Sequence, residues 1–275
     1  MRPRFLEFFT ANGLPEWLIP DYWFMMTLAI IVACVGTLRL WIRGNKGDRG
    51  AQDLLLFGIP ALFIGARLFH FLQFGFPENL WDLIFAGGLG FYGGLFAVVM
   101  VWILTAWLKQ IPLMDFLDTA AAPMSLGLAL GRIGCLLAGC DGGIVAGLPW
   151  ALRFPAGTSS FMHQVELGVI DPTARLSLPA HPTQLYEAVF ALTAGFLLLR
   201  LLRIRSFSGE VFLTGMVWYS LFRFVVEFLR ADMGGWHPFG LLTFSQFLSL
   251  LLLVVSIVLL RFFSSRARRI KMLAA

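Results

Sequence analysis

Charged residues are scarce in this chain of 275 residues: only 13% of its residues are charged, whereas 59% are hydrophobic. Soluble domains contain about 45–50% apolar residues, so this composition excludes a soluble fold. The net charge of +5 does not indicate nucleic acid as a partner, because the basic residues form no stripe on a polar surface. Only three cysteines occur, which is too few for a disulfide framework. The composition is typical of an integral membrane protein.

Long apolar runs occur seven times, at about 22–43, 54–75, 89–107, 117–138, 183–204, 209–230 and 241–262. Each run is long enough to cross the hydrocarbon core of a bilayer, which takes about 20 residues. The sequence therefore predicts an all-α integral membrane protein with seven transmembrane helices. No signal-peptide pattern precedes the first run, so we expect that helix to act as the insertion signal. No repeat or linker divides the chain, which predicts a single transmembrane domain over residues 1–275.

Basic residues in the loops, in the termini and at the adjoining ends of the predicted spans fall mostly on one side of the membrane. Thirteen lie in one set of these alternate segments, and four lie in the other set: Arg2, Arg4, Arg153 and Arg175. Cytoplasmic segments carry an excess of Lys and Arg. We therefore expect the C-terminus to be cytoplasmic, and the N-terminus and a long loop at about 139–182 to be outside.

Four arginines lie within the predicted spans, namely Arg67, Arg132, Arg223 and Arg230. Each costs at least about 2.5–3.5 kcal/mol to insert near the bilayer centre, so each requires a partner, a water-filled cavity or a function. In the predicted orientation all four lie towards the outside. They outnumber the carboxylates Glu187 and Glu227, and planar guanidinium donors suit phosphate oxygens. The sequence therefore predicts a site for an anionic lipid headgroup.

The RFVVEFLRAD motif has two interpretations. Arg223, Glu227 and Arg230 fall at positions i, i+4 and i+7, on one face of a helix. They either bind an anion or pair with one another so that the helix can insert. In the GRIGC motif, Arg132 lies between two glycines and does not fit simple helix packing, which favours a function.

Two further motifs also have two interpretations each. In HPTQLYE, His181 and Gln184 lie at the positive end of a predicted helix, where anions are favoured, but Tyr186 is also typical of a membrane interface. The glycine-rich segment GGLGFYGG, at the start of the third apolar run, ends with Gly93 and Gly94. These glycines permit close approach either of a headgroup or of a neighbouring helix.

A metal site is the weakest of the interpretations. Cys135 and Cys140 are five residues apart and Asp141 follows them, but this spacing matches no common zinc pattern and no second cysteine pair occurs. We therefore predict no metal ligands.

Several motifs occur in a fixed order along most of the chain: GARLFHFL, FYGGL, GRIGC followed by GCDGG, LPWALRFP, HPTQLYE, RFVVEFLRAD and SQFLS. In this combination the chain resembles the prolipoprotein diacylglyceryl transferase family. The resemblance implies an enzyme of the bacterial inner membrane, surrounded by membrane lipids and needing no cofactor. Its reaction would join a diacylglyceryl group from phosphatidylglycerol to the lipobox cysteine of a prolipoprotein and release glycerol phosphate.

The resemblance also implies roles for individual residues. Arg132 and Arg223 would bind and polarise the lipid phosphate, and Glu227 would orient Arg223. An electropositive site would also favour the substrate thiolate. Candidates for headgroup contacts are Arg132, Arg67, Arg230, Gly93, Gly94, Gln184, Tyr186 and Glu187. Candidates for accepting the thiol proton are Tyr92, which ranks first by position, His181 and Glu187.

The chain departs from the family pattern at the GRIGC motif and at the third span. The family usually has two Asn residues and an acid where this chain has Cys135, Ala138 and Cys140, and a His where it has Tyr92. These departures keep two alternatives open. One is a paralogue with another acceptor, and the other is a non-catalytic protein that binds anionic lipid.

Overall fold

Eight helices make up the regular structure of the part of the chain that the computed structural model describes, which is residues 21–44, 49–75, 91–231 and 242–274. They are α1 (Tyr22–Arg43), α2 (Arg49–Phe74), α3 (Phe91–Lys109), α4 (Leu113–Ala138), α5 (Ser159–Glu166), α6 (Thr183–Ile204), α7 (Glu210–Glu227) and α8 (Phe244–Ala274). Among these described residues, β-structure is limited to isolated bridges. The predicted all-α architecture is therefore confirmed.

Five of the helices contain segments long and apolar enough to cross a membrane: Tyr22–Arg43, Gly50–Leu72, Leu113–Ala138, Thr183–Ile204 and Phe244–Arg269. A shorter apolar helix covers Gly93–Lys109. The eighteen residues of α7 include three charged side chains, those of Glu210, Arg223 and Glu227. The third and sixth predicted spans are thus helical, but their crossing of the membrane stays a prediction.

The described residues fall into two compact units, which divide after Gly36 and after Leu117: the first unit contains the described residues before Thr37 and from Asp118 onwards, and the second contains those within Thr37–Leu117. In the first unit, α4, α6 and α7 meet at a core of Ala122, Leu198 and Val211. Small residues allow these helices to approach closely, as is common between membrane helices.

Helix α1 packs against α4 across glycine. A Cβ atom on Gly127 would lie 2.7 Å from the carbonyl oxygen of Ala29, so only glycine permits this distance. Between α4 and α6, the hydroxyl of Ser125 donates a hydrogen bond to the carbonyl of Ala191 over 2.8 Å. These contacts place the C-terminal end of α4 beside the N-terminal ends of α1 and α6.

A buried carboxylate organises the other end of the first unit. Asp118 is fully buried, and its Oδ2 atom accepts a hydrogen bond from Arg205 Nη1 over 2.5 Å and another from the backbone N–H of Gly209 over 2.8 Å. Its Oδ1 atom accepts from the N–H of Phe212 over 2.9 Å. Asp118 therefore holds the turn between α6 and α7.

The segment 139–182 forms an ordered layer. The short helix α5 begins at an N-cap, Thr158, and its buried Gln164 forms two hydrogen bonds with the backbone of Leu178. Isolated bridges connect Val145 and Leu152 to Ala180. The layer thus returns the chain from the end of α4 to the start of α6.

In the second unit, α2 and α3 pack closely. A Cβ atom on Gly93 would lie 2.1 Å from Cβ of Phe69, and one on Gly94 would lie 2.7 Å from the carbonyl oxygen of Leu62. The indole of Trp102 donates a hydrogen bond to the carbonyl of Leu54 over 2.8 Å. Both glycines therefore serve helix packing, which was one of their two interpretations.

Candidate functional site

Two arginines and two carboxylates form a connected cluster in the first unit. Arg132 Nε lies 2.6 Å from Glu187 Oε2, and Arg132 Nη1 lies 3.3 Å from Asp141 Oδ2. Arg230 contacts the other oxygen of each carboxylate, with Nη1 3.2 Å from Glu187 Oε1 and Nη2 2.8 Å from Asp141 Oδ1. The side chains of Glu187 and Arg230 are only 3% and 6% exposed, so these charges depend on one another. We refer to Arg132, Asp141, Glu187 and Arg230 as the four-residue cluster.

Backbone pairing brings Arg230 to this cluster. Gly143 and Arg230 form an antiparallel bridge, and the N–H of Ile144 donates to the carbonyl of Leu229 over 2.9 Å. A Cβ atom on Gly143 would lie 2.4 Å from the same carbonyl, so a side chain at this position would separate the two segments. The residues after α4 and those after α7 are thereby held together.

Arg230 is not on the helix that the sequence predicted for it. Helix α7 ends at Glu227, and the N–H groups of Phe228, Leu229 and Arg230 donate to carbonyls three residues earlier, as in a tightened last turn. Arg230 consequently turns away from Arg223 and pairs with Asp141 and Glu187. The prediction that Arg223, Glu227 and Arg230 lie on one helix is therefore wrong for Arg230.

Arg223 and Glu227 do pair within α7, as the i, i+4 spacing indicated. Their Nη1 and Oε2 atoms are 2.6 Å apart but poorly aligned, so within the described residues neither atom has a proper hydrogen-bond partner. Glu227 Oε1 accepts a hydrogen bond from the hydroxyl of Thr243 over 2.9 Å. The other terminal nitrogen of Arg223, Nη2, donates a hydrogen bond to Ser245 Oγ over 3.4 Å. Glu227 and Ser245 therefore fix the guanidinium of Arg223 in place.

The N-terminus of α8 supports this pair through a capping box. Thr243 is the N-cap, and its hydroxyl accepts from the N–H of Gln246 over 3.2 Å, while the side chain of Gln246 accepts from the N–H of Thr243 over 3.0 Å. The same hydroxyl orients Glu227. The Thr-Phe-Ser-Gln pattern is recognisable in the sequence, but its contact with Glu227 is not.

His181 and Tyr186 meet beside an indole. His181 Nδ1 lies 3.3 Å from the Tyr186 hydroxyl, which accepts a hydrogen bond from Trp150 Nε1 over 2.8 Å. Trp150 is 57% exposed, so this trio lies at the surface of the first unit. His181 and Tyr186 were predicted site residues, whereas the sequence predicted no role for Trp150.

Gln184 lies behind the four-residue cluster. Its side chain is fully buried and donates to the carbonyl of Cys140 over 2.5 Å, while Thr183 Oγ1 donates to the carbonyl of Asp141 over 2.6 Å. These two bonds fix the backbone that carries Asp141. The structure thus gives Gln184 a positioning contact with the protein backbone.

The remaining predicted site residues belong to the second unit. Arg67 lies over the ring of Phe71, 5.3 Å from its centroid. Gly93 and Gly94 lie in the contact between α2 and α3. The side chain of Tyr92 lies outside the described part of the structure, so its role stays a prediction.

Asp141 changes the charge balance expected from the sequence. Among the described residues of the first unit, the guanidiniums of Arg132, Arg223 and Arg230 contact three carboxylates, Asp141, Glu187 and Glu227. The predicted positive surplus is therefore absent from these contacts. Burial raises the pKa of Asp141, but the charges of Arg230 and Arg132 outweigh burial and hold the pKa below its usual range. Asp141 is thus ionised near neutral pH.

Comparison with known proteins gives the family. A family model described as prolipoprotein diacylglyceryl transferase matches residues 11–262. The chain belongs to this family. A relative from Enterococcus faecalis, named phosphatidylglycerol–prolipoprotein diacylglyceryl transferase, is 32% identical over 256 residues, which is 88% of this chain and 86% of the relative. Relatives with the same name come from Bacillus cytotoxicus, at 32% identity over 87% of this chain and 86% of theirs, and from a Shewanella species, at 29% over 80% and 81%.

Family membership and the long apolar helices make the chain a multi-pass membrane protein. The resemblance placed an acid where this chain has Cys140. In the structure, Asp141 supplies a carboxylate one residue later and contacts both Arg132 and Arg230. The sequence signal for Asp141 was its place in the GCDGG segment that follows the GRIGC motif, but only the fold shows which guanidiniums it meets.

Proposed function

We propose that this chain transfers a diacylglyceryl group from phosphatidylglycerol to the lipobox cysteine of a prolipoprotein. The chain is a transferase of the prolipoprotein diacylglyceryl transferase family, and the relatives that it matches over most of their length carry that activity in their names. The observation that carries the assignment of the site is the group of guanidiniums of Arg132, Arg223 and Arg230, each held by carboxylates in the first unit. Their planar N–H donors suit the oxygens of a phosphate.

The carboxylates orient the guanidiniums without using all their donors. A guanidinium has five N–H donors in a rigid fork. The contacts of Arg132 with Glu187 and Asp141 involve Nε and Nη1, so donors at Nη2 remain for a ligand. In our proposal, Arg132 and Arg223 bind the lipid phosphate, Glu227 orients Arg223, and Arg230 keeps Glu187 and Asp141 in place. Such preorganised donors stabilise charge that develops on the leaving phosphate.

The proposed reaction is a displacement at the glycerol carbon that bears the phosphate ester. The substrate sulfur forms a bond to this carbon, the bond between carbon and ester oxygen breaks with its electron pair going to the phosphate, and glycerol phosphate leaves. The thiol proton passes to a base. His181 is a candidate because its imidazole lies beside the Tyr186 hydroxyl, and Tyr92 stays a candidate by position. Glu187 is less suited, because both its oxygens contact guanidiniums.

We further propose that seven helices span the bacterial inner membrane with the C-terminus in the cytoplasm. The four-residue cluster and the pair of Arg223 and Glu227 lie at one end of the first unit, and the basic residues Arg200, Arg203 and Arg205 lie towards the other end of α6. Reporter fusions test this topology. A C-terminal fluorescent-protein fusion should fluoresce, and a periplasmic phosphatase joined near residue 168 should be active; the opposite pattern would invert the topology.

Purified protein tests the activity. It is mixed with phosphatidylglycerol in detergent micelles and a lipobox peptide that has one cysteine, and the peptide mass and free glycerol phosphate are followed. We expect a diacylglyceryl mass gain with an equal amount of glycerol phosphate. Lipid binding without an adduct would instead support a non-catalytic lipid-binding protein, and transfer to other thiols alone would support a paralogue with another acceptor.

Variants of the two arginines test their roles. Arg132→Lys and Arg223→Lys keep the charge but lose the planar fork, and we expect each to reduce the transfer rate by about 10²–10³-fold, the usual cost of losing one transition-state donor. Arg175→Lys is the matched control, because Arg175 is exposed on the layer that follows α4. Rates within threefold of the parent for both site variants would contradict the proposed roles.

A further inference from the structure

The end of α4 brings two cysteines together. The N–H of Cys140 donates to the carbonyl of Cys135 and the N–H of Gly139 donates to the carbonyl of Leu136, each over 3.1 Å. These are the two bonds of a Schellman motif, and Gly139 has the left-handed conformation that the motif requires, with φ of 68°. The motif typically places its third-last helical residue against the second residue beyond the cap. In this chain both of these residues are cysteines.

The two thiols are close and accessible. The sulfur atoms of Cys135 and Cys140 and a carboxylate oxygen of Asp141 all lie within 4.8 Å of one another. Both cysteines are unoxidised and only half-buried. The Cys140 sulfur lies 3.6 Å from the carbonyl oxygen of Cys135 and 3.8 Å from Asp141 Oδ2. Gln184 and Thr183 fix the backbone of Cys140 and Asp141, so the fold holds Cys140 beside Cys135.

The surrounding charges favour a disulfide over a metal ion. A cation bound by these three residues would need the Asp141 carboxylate, which already contacts Arg132 over 3.3 Å and Arg230 over 2.8 Å. The cation would therefore lie near two positive charges, and it would have three protein ligands where structural zinc takes four. A disulfide is neutral and leaves both salt bridges intact. The two sulfur atoms of a disulfide are about 2.0 Å apart. Here they lie within 4.8 Å of one another, so they have to approach each other by less than about 3 Å.

We propose that Cys135 and Cys140 are a redox-active dithiol that forms a reversible disulfide beside the four-residue cluster. The oxidant class is a small disulfide, RSSR. One cysteine thiolate attacks RSSR and releases one RS⁻, and the other cysteine then displaces the second RS⁻ from the mixed disulfide. Two electrons pass to RSSR, and the two thiol protons leave with two RSH molecules. The inference does not rest on the transfer reaction.

The chemistry of the pair fits such an exchange. The hydrogen bond with Cys135, followed by burial, raises the pKa of the Cys140 thiol. The Cys140 thiol also lies within donating distance of the Cys135 carbonyl and of Asp141 Oδ2. These two acceptors hold Cys140 as a protonated donor, so in our proposal the Cys135 sulfur attacks first. In the proposed topology the pair faces the compartment outside the cytoplasm, where disulfides form and persist.

Counting free thiols in the full-length protein tests the proposal. The purified chain in detergent is treated with excess oxidised glutathione, denatured, alkylated with N-ethylmaleimide and weighed intact. The reduced chain has three thiols and should gain three labels. The oxidised chain should gain one label without added glutathione mass, and dithiothreitol should restore three.

Variants that each replace one cysteine identify which two cysteines form the disulfide. Cys34→Ser should gain two labels when reduced and none when oxidised. Cys135→Ser and Cys140→Ser should instead carry a glutathione adduct or keep both labels, because the remaining thiols lack a partner. The proposal is overturned if the oxidised parent chain keeps three labels or gains glutathione at each thiol. It is also overturned if the oxidised Cys135→Ser variant loses both its labels without added glutathione mass. The readout does not depend on phosphatidylglycerol, so its failure is distinct from a failure of the proposed transferase activity.

Discussion

Replacing Arg230 by Met should reveal how much the four-residue cluster stabilises the fold. Arg230 is 6% exposed and contacts Glu187 over 3.2 Å and Asp141 over 2.8 Å. Methionine keeps the apolar volume but removes the charge, and among the described residues Arg132 is then the guanidinium left at each carboxylate. Removing one partner of a buried ion pair costs about 3–5 kcal/mol. Most of this cost should come from Glu187, which is 3% exposed, because Asp141 is 33% exposed and solvent screens its charge.

Thermal unfolding in detergent, with phosphatidylglycerol absent, measures this loss. For a chain of about this size, 1 kcal/mol corresponds to about 2–4 °C in Tm, so Arg230→Met should lower Tm by about 6–20 °C. Arg230→Lys keeps the charge without the planar fork and should fall between the parent and Arg230→Met. Arg175→Met, at an exposed arginine, is the control and should change Tm by less than about 2 °C. A Tm for Arg230→Met within 2 °C of the parent would refute the reasoning that buried Glu187 depends on Arg230.

Three further perturbations test other parts of the structure. Asp118→Asn removes the buried charge that holds the turn between α6 and α7, and it should lower Tm by about 6–20 °C; a Tm equal to that of the parent would contradict this role. Asp141 has a lowered pKa in the fold, so its contribution to stability is present above its unfolded pKa of about 3.9 and is lost as the pH falls through its folded pKa. The loss of Tm on acidification from about pH 6 to about pH 3 should therefore be smaller in Asp141→Asn than in the parent, and an equal loss would argue against the two salt bridges. Gly93→Leu would place side-chain atoms against Phe69 and should sharply reduce the yield of folded protein, whereas Leu95→Ala, at an exposed neighbour, should not; equal yields would contradict close packing of α2 on α3.

Helix positions followed from the sequence where apolar runs are long and sharply bounded. The predicted spans 22–43 and 183–204 coincide with α1 and α6. The sixth span was predicted over 209–230, but α7 ends at Glu227. Periodicity alone does not detect this end, because the residues that follow continue the same apolar pattern. The helix ends there because the backbone of Leu229 and Ala231 forms hydrogen bonds with Ile144 and Gly142.

The sequence by itself determined the membrane class, the helical architecture and the set of arginines at which we propose a phosphate site, because these depend on composition, run length and the cost of inserting charge. Only the tertiary structure decided the partners. Asp141 meets Arg230 across 89 residues of sequence, and Glu187 meets Arg230 across 43. Such contacts depend on how the segments after α4 and α7 pair, and local periodicity has no information about that pairing. The same holds for the thiols of Cys135 and Cys140. Their spacing in the sequence does not show that they are close, and it is the Schellman motif at the end of α4 that brings them together.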